Sequence, residues 1–190
     1  MFIKQLELKT DSATVLADLN HQLQSTTQYL VWSRMNQLGI TSRPGIQNPW
    51  EDATGSLYNR TDGSWRGKES DFTEWNIPST ATQTAIKQLQ EYLGGITFGR
   101  IRWMRLPPKT GLSVHKDQEL RYHLVLQTNP RAYIAHETSD VDPLRSTIPT
   151  AAAAYHLPLD NHWYQVDTRQ IHWVYNGGNT ERIHLVVCGV

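Results

Sequence analysis

The pattern of apolar and polar positions changes character near Gly94-Gly95. Before that point, two stretches repeat at helical spacing. Val15, Leu16, Leu19 and Leu23 follow Asp11 and Ser12, either of which can cap a helix by accepting from its first free amides. This helix is expected to end by Gly39. Ile86, Leu89 and Leu93 mark a second helix after Pro78-Ser79, stopped by Gly94-Gly95. Residues 40–77, rich in Gly, Pro, Asn, Asp and Ser, read as one long loop. A loop of that length is uncommon without a role, such as an active-site lid. It holds Trp50, Trp65 and Trp75, which either line a substrate site beneath it or anchor it to the core.

After Gly95 the pattern is β. Strand-like runs cover Ile96–Leu106, Leu120–Gln127, Arg131–His136, Tyr155–Leu159, His162–Val166, His172–Tyr175 and Arg182–Val187. Turn signals separate them at Pro107-Pro108, Asn129-Pro130, Asp142-Pro143 and Asn176-Gly177-Gly178-Asn179. Many short strands at regular spacing predict a sandwich or barrel with the helices packed outside. The expected organisation is a single domain over residues 1–190, with a helical and loop region at 1–95 and a β core at 96–190.

Two strands segregate charge by face. In Arg182–Val187, Arg182, His184 and Val186 share one face, and Ile183, Leu185 and Val187 the other. In Arg121–Leu126, Arg121, His123 and Val125 lie opposite Tyr122, Leu124 and Leu126. A polar strand face is ordinarily solvated. In a closed barrel it could instead supply a cationic pocket, because an arginine fork grips a carboxylate with two charge-assisted hydrogen bonds. Periodicity alone leaves open which face turns inward.

Composition narrows the functional classes. Eighteen basic residues balance eighteen acidic ones, and no basic run offers the phosphate neutralisation on which nucleic-acid binding depends. No nucleic-acid partner is expected. The one cysteine, Cys188, excludes an intramolecular disulfide and a cysteine-based zinc site. No stretch reaches the ~18 consecutive apolar residues of a membrane span. A cytoplasmic protein is the expectation.

The candidate chemistry lies in three places. His115-Lys116-Asp117 puts an imidazole and a carboxylate two positions apart, able to meet one cation from one side of an extended chain. Alone it is a weak signal in a chain with eight histidines. His172 opens a strand far downstream, and a barrel can bring it beside the first pair. Two histidines and one carboxylate on one face of an ion form the ligand set of non-haem iron(II) oxygenases. Arg182 follows ten residues later, where it can hold an acidic cosubstrate.

The stretch Gly99-Arg100-Ile101-Arg102-Trp103-Met104-Arg105-Leu106-Pro107-Pro108, then His115-Lys116-Asp117, Arg121-Tyr122-His123-Leu124 and Thr128-Asn129-Pro130, resembles the aspartyl/asparaginyl β-hydroxylase-like branch of the 2-oxoglutarate oxygenases. So do Val166 through His172 and Asn176 through Val186. The resemblance covers roughly residues 96–190 and implies a double-stranded β-helix core, iron(II) and 2-oxoglutarate. It implies iron at His115 and His172, with 2-oxoglutarate held by Arg182, assisted by His123 and Arg121. Vertebrate aspartyl/asparaginyl hydroxylases carry a glycine where this chain has Asp117. Here Asp117 restores the full ligand triad of the wider superfamily and leaves no vacancy for a halide. Cys188 stands where the nucleic-acid demethylase branch has a second arginine.

The resulting expectation is a dioxygenase that hydroxylates an amino acid, a peptide side chain or a small metabolite, with Trp65 and His184 as substrate contacts. Two alternatives stay open. One is a cupin-type hydrolase or isomerase using metal-bound water; the other is a non-catalytic barrel that binds a small molecule.

Overall fold

A computed structural model of the chain describes residues 1–25, 32–59, 61–78, 80–138 and 152–190. Its elements in order are β1 (Ile3–Lys9), α1 (Ser12–Ser25), β2 (Gln37–Gly39), β3 (Thr41–Ser42), α2 (Pro49–Asp52), β4 (Glu74–Trp75) and α3 (Ala81–Tyr92), followed by the β core. The core strands are β5 (Phe98–Leu106), β6 (Thr110–His115), β7 (Arg121–Gln127), β8 (Ala132–Glu137), β9 (Ala152–Tyr155), β10 (His162–Val166), β11 (His172–Asn176) and β12 (Arg182–Gly189).

Two antiparallel sheets face each other. The larger has the order β1-β10-β7-β12-β5-β2, and the smaller β6-β11-β8-β9. Consecutive strands repeatedly fall in opposite sheets, which is the double-stranded β-helix arrangement.

The helices decide which way the large sheet faces. Val15 and Leu19 of α1, with Ala85, Ile86 and Leu89 of α3, pack on Tyr122, Leu124, Leu126, Ile183, Leu185 and Val187. The main apolar core therefore lies outside the barrel, between sheet and helices. Amphipathic helices must bury their apolar stripe, and the wholly apolar face of β7 and β12 is the surface that accepts it. Arg121, His123, Arg182 and His184 are thereby turned between the sheets. A smaller apolar cluster there, including Phe2, Val125, Ile134, Val166 and Val174, fills the rest of that space.

Local signals explain the helix ends. Asp11 Oδ1 accepts from Ala13 N at 3.0 Å and Thr14 N at 3.3 Å, capping α1. Thr80 accepts from Gln83 N at the start of α3, and Gly94 and Gly95 close it at φ +77° and +81°. The first helix ends before Gly39, as expected, and Gln37–Gly39 is an edge strand on β5.

The N-terminal half thus contributes more than helices and loop. β1 pairs with β10 and β2 with β5, so both edges of the large sheet come from residues before 95. The charged alternation of Ile3-Lys4-Gln5-Leu6 suits an edge strand but carries little apolar signal. The stretch 40–77 is not one open loop either, since it contains β3 paired with β4, and α2. Asn76 Nδ2 ties it down by donating to Gly39 O and Pro49 O, each at 2.9 Å. The expected strand Tyr155–Leu159 is shifted to Ala152–Tyr155, where pairing with β8 overrides the weak β propensity of alanine. The turn expected at Asp142-Pro143 lies outside the described residues. Among the described residues no helix is long and apolar enough to cross a membrane.

Candidate active site

β6 and β11 pair with His115 directly opposite His172, so the two imidazoles meet on one face with ring centroids 4.3 Å apart. Asp117 lies just past the end of β6, fixed by its backbone N–H donating to Thr168 O at 2.8 Å. One ligand atom from each of His115, Asp117 and His172 falls within 4.8 Å of the others. The residues predicted from sequence to share a metal are therefore together. Nδ1 of His115 lies 2.6 Å from Ser113 O, and Nδ1 of His172 lies 2.9 Å from Gln170 O. A carbonyl can only accept, so Nδ1 carries the proton on both rings and Nε2 presents its lone pair to a cation.

The electrostatics suit the same role. Burial, with His115 beside it, brings the His172 imidazole down to about 4, so it is neutral as a metal requires. Burial pushes the Asp117 carboxyl up, but Arg121 and the two histidines outweigh it and hold the group below its ordinary value.

Arg121 is fully engaged by protein. Its Nε meets Asp117 Oδ2 at 3.2 Å, its Nη2 meets Glu69 Oε1 at 2.7 Å, and its Nη1 donates to Cys188 Sγ. Glu69, on a single 3-10 turn at Glu69–Asp71, also takes both Nε and Nη2 of Arg100 at 2.7 Å. Burial pushes Glu69 up, yet the bonds and charges of Arg100 and Arg121 hold it far below the carboxylate range. A chain of buried pairs thus runs Arg100–Glu69–Arg121–Asp117. Gly99 makes room for it, because a Cβ there would sit 2.3 Å from Glu69 O.

A cavity of about 880 Å³ opens beside the triad, within the usual range for a ligand site. His115, Asp117, His172, Arg121, His123 and Arg182 all line it, and Trp65 stands at its wall. Trp65 is half exposed and packs on Tyr58 at 5.1 Å between ring centroids. Arg182 is 5% exposed and, among the described residues, has no carboxylate partner; burial brings it down to about 9. It donates from Nη2 to Nδ1 of His184 at 3.1 Å. His184 is fully buried and is not part of the cavity wall, so the structure puts it behind Arg182 rather than against a substrate. Nδ1 of His123 lies 3.3 Å from the same His184 nitrogen, and Nε2 of His123 has no partner among the described residues.

Among the lining residues not predicted from the sequence as part of a site are Glu69, Arg100 and Arg102. The arginines carried a usable signal. They alternate with Ile101 and Trp103 as Arg121 and His123 alternate with apolar neighbours. Glu69 had none, since its partners are 31 and 52 positions away. Of the tryptophans in 40–77, Trp50 packs on the outer core and Trp75 is exposed in β4, and neither lines the cavity.

Comparison with known proteins supports this architecture. The model of the aspartyl/asparaginyl β-hydroxylase family matches residues 47–189. An oxidoreductase of the 2OG-Fe(II) oxygenase family from Burkholderia pseudomallei superposes with a TM-score of 0.59 at 13% identity, over 98% of this chain and 83% of that one. AviO1 from Streptomyces viridochromogenes Tue57 gives 0.55 at 12% identity, over 100% and 89%. A Pseudomonas putida prolyl-4-hydroxylase gives 0.54 at 14% identity, over 98% and 91%. At these identities the structural likeness is one of fold. A sequence search of curated proteins finds no match. The family match spans most of the chain, including all three members of the His-Asp-His cluster, and this protein belongs to the aspartyl/asparaginyl β-hydroxylase family of iron(II)- and 2-oxoglutarate-dependent oxygenases.

Proposed function

We propose that this chain hydroxylates a C–H bond of an amino acid, a peptide side chain or a small metabolite, with iron(II) held by His115 Nε2, Asp117 and His172 Nε2. Iron(II), 2-oxoglutarate and dioxygen supply the oxidation, which places one oxygen atom in the product and the other in succinate, with loss of carbon dioxide. The observation that carries this reading is Arg182, a buried guanidinium without a carboxylate partner among the described residues, in the cavity that holds the three metal-donor atoms. A buried charge left unpaired is costly, so the pocket is built for an anion.

Each side chain has a task. Arg182 grips the far carboxylate of 2-oxoglutarate, and His123 lines the same cavity beside it. His184 orients Arg182 from behind. Arg121 orients Asp117 instead of touching the cosubstrate, because its three nitrogens are already taken. Trp65 closes the cavity wall against water on the substrate side. The free and buried Cys188 agrees with a cytoplasmic setting.

Anaerobic titration with iron(II) and 2-oxoglutarate tests the assignment through the visible charge-transfer band of the chelate. The band should form in the native protein and vanish in His172→Ala and Arg182→Met. A folded, iron-loaded protein with no band would rule the cosubstrate out.

A further inference from the structure

One guanidinium in the cavity is left over after the cluster and the cosubstrate clamp are paired. Arg100 and Arg121 share Glu69, and Arg121 also holds Asp117. Arg102 points into the same space, is 5% exposed, and has no carboxylate within ion-pair distance among the described residues. Its Nη1 donates only to neutral acceptors: Gln37 Oε1 at 3.2 Å, and Ala53 O and Gly55 O at 3.4 Å. Its Nε is fully buried with no partner among the described residues. Burial, then Arg100 and Arg121, bring it down to about 9, and the more distant Glu69 and Asp117 carboxylates offset this only in part.

Arg182 and Arg102 are separate stations. Arg102 is paired in register with Val186, four residues along β12 from Arg182. At about 3.3 Å per residue, that offset is roughly 13 Å along the strand. Gln37 draws the Arg102 fork toward the β2 edge, away from β12, and Val186 lines the cavity at the level of Arg102. A five-carbon dicarboxylate reaching from the metal to Arg182 leaves Arg102 unanswered. The lining near Arg102 includes the apolar side chains of Met35, Leu57 and Met104. Arg100, which shares the Ala53 and Gly55 carbonyls with Arg102, is already paired with Glu69.

We propose that Arg102 is a second anion subsite, which holds a carboxylate of the substrate while the apolar wall takes its body. The substrate class is then a small carboxylate with an aliphatic or aromatic body. This rests on the reading of Arg182 as the cosubstrate clamp. A carboxylate fits better than a phosphate dianion, because the cluster leaves a single positive charge and the planar fork matches two oxygens.

Arginine Nε–H resonances of the protein saturated with zinc(II) and 2-oxoglutarate test it, with acetate as probe, acetamide as its neutral counterpart and chloride as the ionic-strength control. The Arg102 signal is identified by its loss in Arg102→Lys. It should shift saturably with acetate and stay still with acetamide and chloride, while the Arg182 signal responds to 2-oxoglutarate alone. An Arg102 signal indifferent to acetate overturns the proposal, and so does one that moves on adding 2-oxoglutarate. An Arg182 signal unmoved by 2-oxoglutarate, with Arg102 still answering acetate, sinks the cosubstrate assignment and keeps the anion site. In Arg102→Met, whose fold is checked by its backbone spectrum, the acetate-dependent shift of the Met104 methyl should disappear.

Discussion

Replacing Glu69 by glutamine removes one charge from the centre of the buried chain Arg100–Glu69–Arg121–Asp117 and changes little else. Glu69 accepts three charge-assisted bonds, all at 2.7 Å, from two guanidiniums that are themselves buried. Breaking a buried pair by neutralising one partner costs about 3–5 kcal/mol, because the other is left uncompensated. For a domain of this size, 1 kcal/mol moves the melting temperature by about 2–4 °C, so a fall of roughly 6–20 °C is expected. The pH dependence gives a sharper signature. The folded carboxyl titrates far below its ordinary value of 4.5. Its contribution is therefore complete above 4.5 and is lost as pH falls toward the folded value. That loss amounts to about 1.36 kcal/mol per pH unit for one proton. Glu69→Gln lacks this slope, so urea denaturation curves of the two proteins should draw together as pH drops below 4.5. A loss under about 1 kcal/mol at neutral pH, or a gap that does not change with pH, would refute the role given to Glu69.

Further outcomes follow from the same geometry. Arg121→Lys cannot reach Asp117, Glu69 and Cys188 at once, and metal affinity should fall about 10–100-fold in a competition titration. Gly99→Ala drives a methyl into Glu69 O and should cost about 1–3 kcal/mol in urea denaturation, with weakened metal binding alongside. His123, His172 and His184 all have imidazoles lowered from 6.5, chiefly by burial. The unfolded chain then binds protons that the folded one refuses, so the metal-free protein should lose stability as pH falls below 6.5 in thermal scans. Saturating zinc(II) should raise the melting temperature most near neutral pH and progressively less as pH falls, because metal binding requires neutral imidazoles.

The two-residue period of β7 and β12 is a property of the chain. It was legible without coordinates that Arg182 and His184 share one face, as do Arg121 and His123. So were the helices α1 and α3, since Asp11 and Gly94-Gly95 act through neighbours only a few residues away. His115, Asp117 and His172 could be singled out because few residue types bind iron and because ordered motifs accompany them. The sequence could not say which face turned inward. That depended on α1 and α3 covering the apolar face, a contact between segments far apart in the chain. β6 went unseen because Thr110-Gly111-Leu112-Ser113 is short and mixed in polarity, and pairing with β11 makes it a strand. Glu69 is an ordinary surface residue in the sequence and a buried keystone in the fold, and His184 exchanged a substrate-facing position for one behind Arg182. Local periodicity is set by backbone geometry and can be read along the chain. Which charges meet in the interior is set by packing between distant segments, and only the tertiary structure decides it.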